Sequence, residues 1–317
     1  MDPIWLVITF GLGWVVRQLG LPPLLGFLAA GFVLGANGAE GGKLLDEVAN
    51  LGVWLLLFAI GLKLKLGQLK RPEVLVGATA HLGVMVVFGA AALLGVGSLG
   101  VPLLEDLDSR TALLLAFALA FSSTVLAVKV LEARGESGSL HGRVAIGILI
   151  IQDIAAVVFL AASKGVLPSP YALLLVGALL LGRPVFYKIL DRAGHGELVV
   201  LMGLTLVVGA GAASFEAVGL KADLGALFMG VLMSRHPRAD ELGRGLLSLK
   251  DLFLVGFFLQ IGLSGTPTLT LALLGVALAG LAPLKATVFF LLLTRLKLRA
   301  RTSLLTSLSL ASSSEFG

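Results

Sequence analysis

The chain has 317 residues, 57% of them hydrophobic and 14% charged, with a mean hydropathy of +1.02. An average soluble domain carries about 25% charged residues, so this balance excludes an ordinary globular core and fits a polytopic helical membrane protein whose first partner is the lipid bilayer. The formal net charge of +5 is no nucleic-acid signal, because the basic residues lie between the apolar runs. Cysteine is absent, which removes disulfides, thiolate metal sites and a thiol nucleophile. The four histidines, His81, His141, His195 and His236, have no ligand-like spacing. The runs are too long, and lack the period-two alternation, for a transmembrane β-barrel. The first run has no basic n-region and leads straight into a second, so it reads as a span and not as a cleaved signal.

In chain order the apolar runs predict twelve spans, roughly 3–19, 21–35, 45–62, 74–98, 111–131, 143–163, 170–187, 197–215, 221–234, 250–264, 268–293 and 302–317. A span needs about 20 apolar residues at 1.5 Å per residue, so 21–35 and 221–234 are short. Lys and Arg sort the loops. Nineteen of the 24 fall in alternate loops, with clusters at Lys63–Arg71, Lys129–Arg143, Arg183–Arg192, Arg235–Lys250 and Arg295–Arg301. The other side holds only Lys43, Arg110, Lys164 and Lys221, and Lys285 lies inside a span. Positive charge marks the cytoplasmic face, so the N-terminus is expected outside.

The chain also repeats itself. Leu25-Gly26 and Gly31 match Leu224-Gly225 and Gly230; LFAIGL at 57–62 matches FLQIGL at 258–263; LAFSST at 119–124 matches LASSSE at 310–315. The offsets are 199, 201 and 191, in the same order along the chain. The matched spans lie seven apart, so they cross the membrane in opposite senses. An inverted repeat is a transporter signature, with the site near the midplane where the repeats meet. Repeat one is read as about 21–163, linker helices as about 170–215 and repeat two as about 221–317. The mate of the Asp153 helix falls near 344–354, so a further helix is expected beyond Gly317.

Asp153 carries the chemistry. It sits with Gln152 in the middle of RVAIGILIIQDIAAVVFLAA, deep in a span. A carboxylate at mid-bilayer costs about 2.5–3.5 kcal/mol on insertion scales, and such residues usually face a pathway or a partner. Gln152 is either a second ligand or a helix–helix hydrogen bond. Ser122, Ser123 and Thr124 interrupt an apolar helix, and Ser312, Ser313 and Ser314 do so in its repeat mate. Hydroxyls of this kind bond back to the i−4 carbonyl. Alternatively, they mark paired broken helices whose opened backbone coordinates a cation. Lys285 lies deep in LAPLKATVFFLLL and either snorkels or pairs with a buried carboxylate. Glu315 faces the same cavity or is a helix-end charge. The glycines at 26, 31, 225 and 230 read as close helix packing. No phosphate-binding glycine loop, HExxH, GxSxG or nucleophile–base pair is present, so no enzyme is read here.

These elements, PPLLGFLAAGFVLG, ALAFSSTVLAVKVLEARGE, GRVAIGILIIQDIAAVVFLA, LGALFMGVLMS, LKDLFLVGFFLQIGL and the terminal SEFG, resemble the monovalent cation:proton antiporters of the Kef type, the bacterial potassium-efflux group. The resemblance implies an all-α, inverted-repeat sodium/proton-antiporter-like fold. It further implies thirteen helices, of which twelve are expected here, with two crossed discontinuous helices, an elevator motion, a homodimer and the bacterial inner membrane. It implies ion and proton binding by Asp153, Gln152, Ser122, Ser123 and Thr124, with Lys285, Ser313, Ser314 and Glu315 in support and K⁺ or Na⁺ at Asp153. Gln152, where electrogenic relatives carry a second acid, favours K⁺ and one-for-one exchange with H⁺. No cofactor is expected in this chain; a nucleotide-binding regulatory domain belongs to longer relatives. Lys221 and Asp223 depart from the family pattern. Exchange is the leading reading; a Na⁺/H⁺ antiporter and a ligand-gated K⁺ channel or uniporter on the same site stand as alternatives.

The charge asymmetry makes a first prediction. Single cysteines at Asn37 and Pro168 should react with an impermeant thiol reagent from outside, and those at Lys70 and Arg238 only after permeabilisation. The reverse pattern would overturn the span count.

Overall fold

A computed structural model describes residues 3–64, 66–99, 107–163, 169–265 and 279–312. Among these the ordered elements are all helical. They are α1 (Pro3–Gln18), α2 (Pro23–Ala36), α3 (Lys43–Lys63), α4 (Pro72–Ser98), α5 (Ser109–Ala120), α6 (Thr124–Ala133), α7 (Leu140–Ser163), α8 (Pro170–Arg192), α9 (Glu197–Ala217), α10 (Ala222–Met233), α11 (Ala239–Leu263), α12 (Ala282–Arg295) and α13 (Ala300–Ser309). By length and composition α3, α4, the α5–α6 pair, α8, α9 and α11 can each cross a membrane, while α2 and α10 are shorter apolar helices. Prolines open several elements, as at Pro23, Pro72 and Pro170, where a missing N–H costs nothing. Asp108 caps α5 by accepting the N–H groups of Arg110 and Thr111 at 3.2 and 3.3 Å.

The first ten predicted spans correspond to described helices; of the span predicted at 268–293, residues 268–278 lie outside the described residues and the helix starts at Ala282 after a turn, and of 302–317 the helix ends at Ser309 and residues 313–317 lie outside the described residues. Two further differences stand out. α11 begins at Ala239, eleven residues before the predicted start, and takes Asp240, Glu241 and Arg244 into the helix. Their charge depresses local hydropathy and hides the first turns. The centre of α9, Thr205–Ala213, is wound as a π-helix, which no propensity pattern announces.

The chain divides into two compact units. Unit 1 comprises Met1–Lys65 and Ala161–Thr268; unit 2 comprises Leu66–Leu160 and Leu269–Gly317. In unit 1 the repeat is visible as pairs of glycine contacts. A Cβ on Gly31 of α2 would come within 2.6 Å of Gly262 Cα on α11, and one on Gly230 of α10 within 2.9 Å of Gly61 Cα on α3. Gly31 and Gly230 are repeat mates, as are Gly61 and Gly262. A two-fold operation that exchanges the repeats therefore turns one contact into the other. The matching extends to α1 and α9. Gly26 meets Gly13 of α1 with 2.6 Å from its would-be Cβ to Gly13 Cα, and Gly225 meets Gly211 of α9 with 2.6 Å to Gly211 C. Both α1 and α9 also end in the same turn. Gly20 and Gly219 hold φ of 76° and 78°, and the following N–H groups of Leu21 and Leu220 reach back to Val16 O and Phe215 O at 3.2 and 2.9 Å. Such a left-handed terminus favours glycine.

Elsewhere in unit 1, α8 turns Leu173 and Leu181 outward at 83% and 84% exposure, a face that suits lipid and not water. The loop before α11 is tied to the end of α8. Arg238 donates to Leu190 O at 2.6 Å and to Glu241 Oε2 at 2.7 Å, and the Glu241 hydrogen bond holds the Arg238 guanidinium above its ordinary pKa. His236 Nε2 lies 3.2 Å from Asp191 Oδ1.

In unit 2, small residues bring α4 and α5 together: a Cβ on Gly89 would lie 3.0 Å from Ala116 Cβ, and Ala90, Ala112 and Ala116 are buried. Leu82, Met85, Phe121 and Ala156 form an apolar cluster beside them.

Adding a methyl group where backbone already sits forces helices apart, at about 1–3 kcal/mol. Gly31→Ala and Gly230→Ala should each lower the melting temperature of the detergent-solubilised protein. Gly177→Ala on α8, with nothing within 4 Å, should not. Equal behaviour of the three would remove the close-contact account.

Candidate ion-binding site

The site is built in unit 2 around an interruption. α5 stops at Ala120, Phe121 and Ser123 are extended (ψ 148° and 116°), and α6 starts at Thr124. No proline or glycine makes the break; the hydroxyls do. Ser123 Oγ accepts the Leu126 N–H at 3.3 Å and so caps α6 in the way short polar side chains favour. The sequence reading placed Thr124 in the interruption too; it is the first residue of the resumed helix. The carbonyl end of α5 and the N–H end of α6 thus face the same gap, with partial charges of about −0.5 and +0.5.

Two side chains of α7 meet this gap. Gln152, 1% exposed, accepts the Ser122 N–H on Oε1 at 3.2 Å. That bond fixes which way the amide points. Its Nε2 is buried with no partner among the described residues. Asp153 lies opposite Thr124, whose Oγ1 is 3.4 Å from Oδ1 and 3.3 Å from Oδ2. The carboxylate is only partly buried, so one α7 residue holds the break and its neighbour faces the open part of the site. The 100° step between adjacent helical residues requires such a division.

The second element comes from the repeat mate. α13 ends at Ser309. Ser122 Oγ donates to Leu310 O at 2.7 Å, which joins the α5–α6 break to the residues after α13. Lys285 on α12 joins them again. Lys285 is 1% exposed, and its Nζ donates to Phe121 O at 2.7 Å, Ser312 O at 3.1 Å and Leu119 O at 3.3 Å. An ammonium has three donors, and each finds a carbonyl left over by an ending helix. The sequence left Lys285 to snorkel or to pair with a buried carboxylate; its partners are main-chain oxygens. Ser312 Oγ is buried with no partner among the described residues. Ser313, Ser314 and Glu315 lie outside the described residues.

One group near this site was passed over in the sequence. His81, in the middle of α4, is fully buried and stacks on Phe289 of α12 with ring centroids 3.5 Å apart and planes 5° apart. It is an ionisable residue well inside an apolar helix, the criterion that singled out Asp153.

Repeat-related helix contacts, a capped break in a span and a carboxylate beside that break are features shared by inverted-repeat membrane transporters. The chain belongs to the transmembrane sodium/hydrogen exchanger family, whose model matches residues 6–317. It is 29% identical over 347 aligned positions to the Escherichia coli (strain K12) protein named "Putative cation/proton antiporter YbaL", an alignment covering 98% of this chain and 60% of that protein. The chain therefore spans less than two thirds of that relative's length.

Removing the ammonium tests the clamp. Lys285→Met keeps the stem and deletes the donors, leaving three inward carbonyls without their bonds at about 1–3 kcal/mol each. Its melting temperature should fall well below wild type, with Lys285→Arg in between. A Met variant as stable as wild type would show that the ammonium does not hold the breaks.

Proposed function

We propose that this chain exchanges a monovalent cation for H⁺ across a membrane, with the Asp153 carboxylate binding one and then the other. The observation that carries the reading is the position of Asp153: ten residues from the end of α7, about 15 Å along the helix, facing the Thr124 hydroxyl at the capped break. An ionised carboxylate in an apolar surround is costly unless neutralised. A proton neutralises it in one way, and a cation dressed by hydroxyl and carbonyl oxygens in another. Because one carboxylate serves both, binding is competitive, and only the neutralised site crosses the barrier cheaply. Competition of this kind is antiport.

Membership of the exchanger family and the antiporter name of the E. coli relative support the same reading. The proposal extends to K⁺ as the cation and one-for-one stoichiometry, since Gln152 adds no second charge beside Asp153. It extends also to a homodimer in the bacterial inner membrane with the N-terminus outside, one unit carrying the ion in an elevator-like step. Na⁺ is the competing cation.

Asp153→Asn is nearly isosteric and cannot ionise. In proteoliposomes, cation-driven pH change should fall to the level of empty vesicles, for K⁺, Na⁺ and Rb⁺ alike, while the variant stays monodisperse and no less thermostable than wild type. Gln152→Ala should be milder in transport and harsher in stability, because Ser122 N–H loses its acceptor. Near-normal exchange by a well-folded Asp153→Asn protein would remove Asp153 as the carrier.

A further inference from the structure

His81 is a buried polar side chain of unit 2 that the exchange mechanism leaves unused, and both its ring nitrogens are without a partner among the described residues. A neutral imidazole always carries one N–H and one lone pair. Stacking on Phe289 satisfies neither. A phenyl or leucyl group would fill the same space without burying two idle polar atoms, so packing alone is a poor account of histidine here. Buried nitrogens left idle in one arrangement of a moving protein are suited to bonds made in another.

The placement says which bond. Phe289, under the imidazole, is one helical turn beyond Lys285 on α12, and Lys285, Phe289 and Leu293 form that helix's buried strip. α5 offers only Arg110, exposed in its first turn, and the inward acid of α7 is Asp153, engaged with Thr124. Lys285 is the cationic donor on the same buried helix strip as the ring stacked on His81. In the present arrangement it is fully spent on Leu119 O, Phe121 O and Ser312 O.

We propose that His81 is a positioning residue that gives the Lys285 ammonium a second seat: when the ends of α5 and α13 shift during transport and the carbonyls let go, an imidazole nitrogen accepts an N–H of the ammonium. Only hydrogen bonds change hands, and Lys285 keeps its proton. A buried ammonium stripped of all acceptors is prohibitively costly, so a waiting acceptor lowers the barrier between the two arrangements. The inference rests on the antiport reading for its kinetic consequence and on geometry alone for the contact.

The test separates rate from stability. His81→Phe keeps an aromatic ring on Phe289 and removes both nitrogens. It should leave the melting temperature at or above wild type, because the carbonyl clamp is untouched. It should slow maximal exchange about tenfold or more while changing the apparent cation affinity little, and His81→Gln, which restores an acceptor, should recover much of the rate. Wild-type exchange by a folded His81→Phe protein would overturn the proposal, as would equal loss in the Phe and Gln variants. A second measurement does not depend on transport. The chain has four histidines, so the His81 ¹⁵N signals can be assigned by their absence from His81→Phe. An imidazole visited by the ammonium in the shifted arrangement should show an exchange-averaged acceptor-nitrogen shift that changes in Lys285→Met, or in Lys285→Arg where the Met variant does not fold. Identical shifts would exclude the contact. Failure of wild-type exchange with a Lys285-dependent His81 shift would reject the antiport reading and keep the second seat.

Discussion

Unit 2 depends on one ammonium. Interrupting a helix inside a membrane exposes carbonyls and amides that water cannot reach, each at a cost comparable to a lost hydrogen bond. Here two helices end close together, and Lys285 collects the surplus carbonyls of both at 2.7–3.3 Å. The amide side of the α5–α6 break is settled separately, by the Gln152 oxygen on Ser122 N–H and by Ser123 on Leu126 N–H. A positive group at carbonyl ends and neutral acceptors at amide ends are the arrangement the helix dipoles call for. With both ends satisfied by other groups, the hydroxyl of Thr124 is directed to the carboxylate of Asp153 beside the break.

Unit 1 meets a different demand by removing side chains. Its four glycine contacts put backbone against backbone, α1 on α2, α9 on α10, α2 on α11 and α10 on α3. With no hydrophobic drive between helices in lipid, close packing of small residues is what holds them. Each contact has a two-fold mate, so a single packing solution is used twice.

Much of this was legible in the sequence because it is written in side-chain types. Hydropathy located the helices, hydroxyls in an apolar run located the break at Ser122–Ser123, and the lone carboxylate located Asp153. The repeat appeared in Leu-Gly spacing from position 25 onward; its earlier part, Gly13 and Gly20 against Gly211 and Gly219, lacks the flanking match that draws notice. What was illegible involves backbone. Nothing in LAPLKATVFFLLL distinguishes a lysine bound for a carboxylate from one bound for three carbonyls. The π-turns of α9 and the early start of α11 are likewise set by tertiary contacts that outweigh local pattern. His81 shows another limit: four scattered histidines were weighed as metal ligands, when depth in the helix was the informative property.

The glycine contacts of unit 1 also bear on how the chain is made. α2 and α3 present their glycine faces to α11 and α10, and each of these contacts joins residues well over a hundred positions apart, as Gly31 to Gly262 and Gly61 to Gly230. While the ribosome is still synthesising the second half, the grooves of the first have no occupant but lipid. Contacts of such long sequence separation form late and leave intermediates exposed in the meantime. Insertion and assembly are therefore distinct events for this unit, and assembly waits for the second repeat. A substitution at Gly262 strands a helix that was threaded correctly some two hundred residues earlier, so its damage should surface during biogenesis, in the yield of assembled protein, before it surfaces in transport.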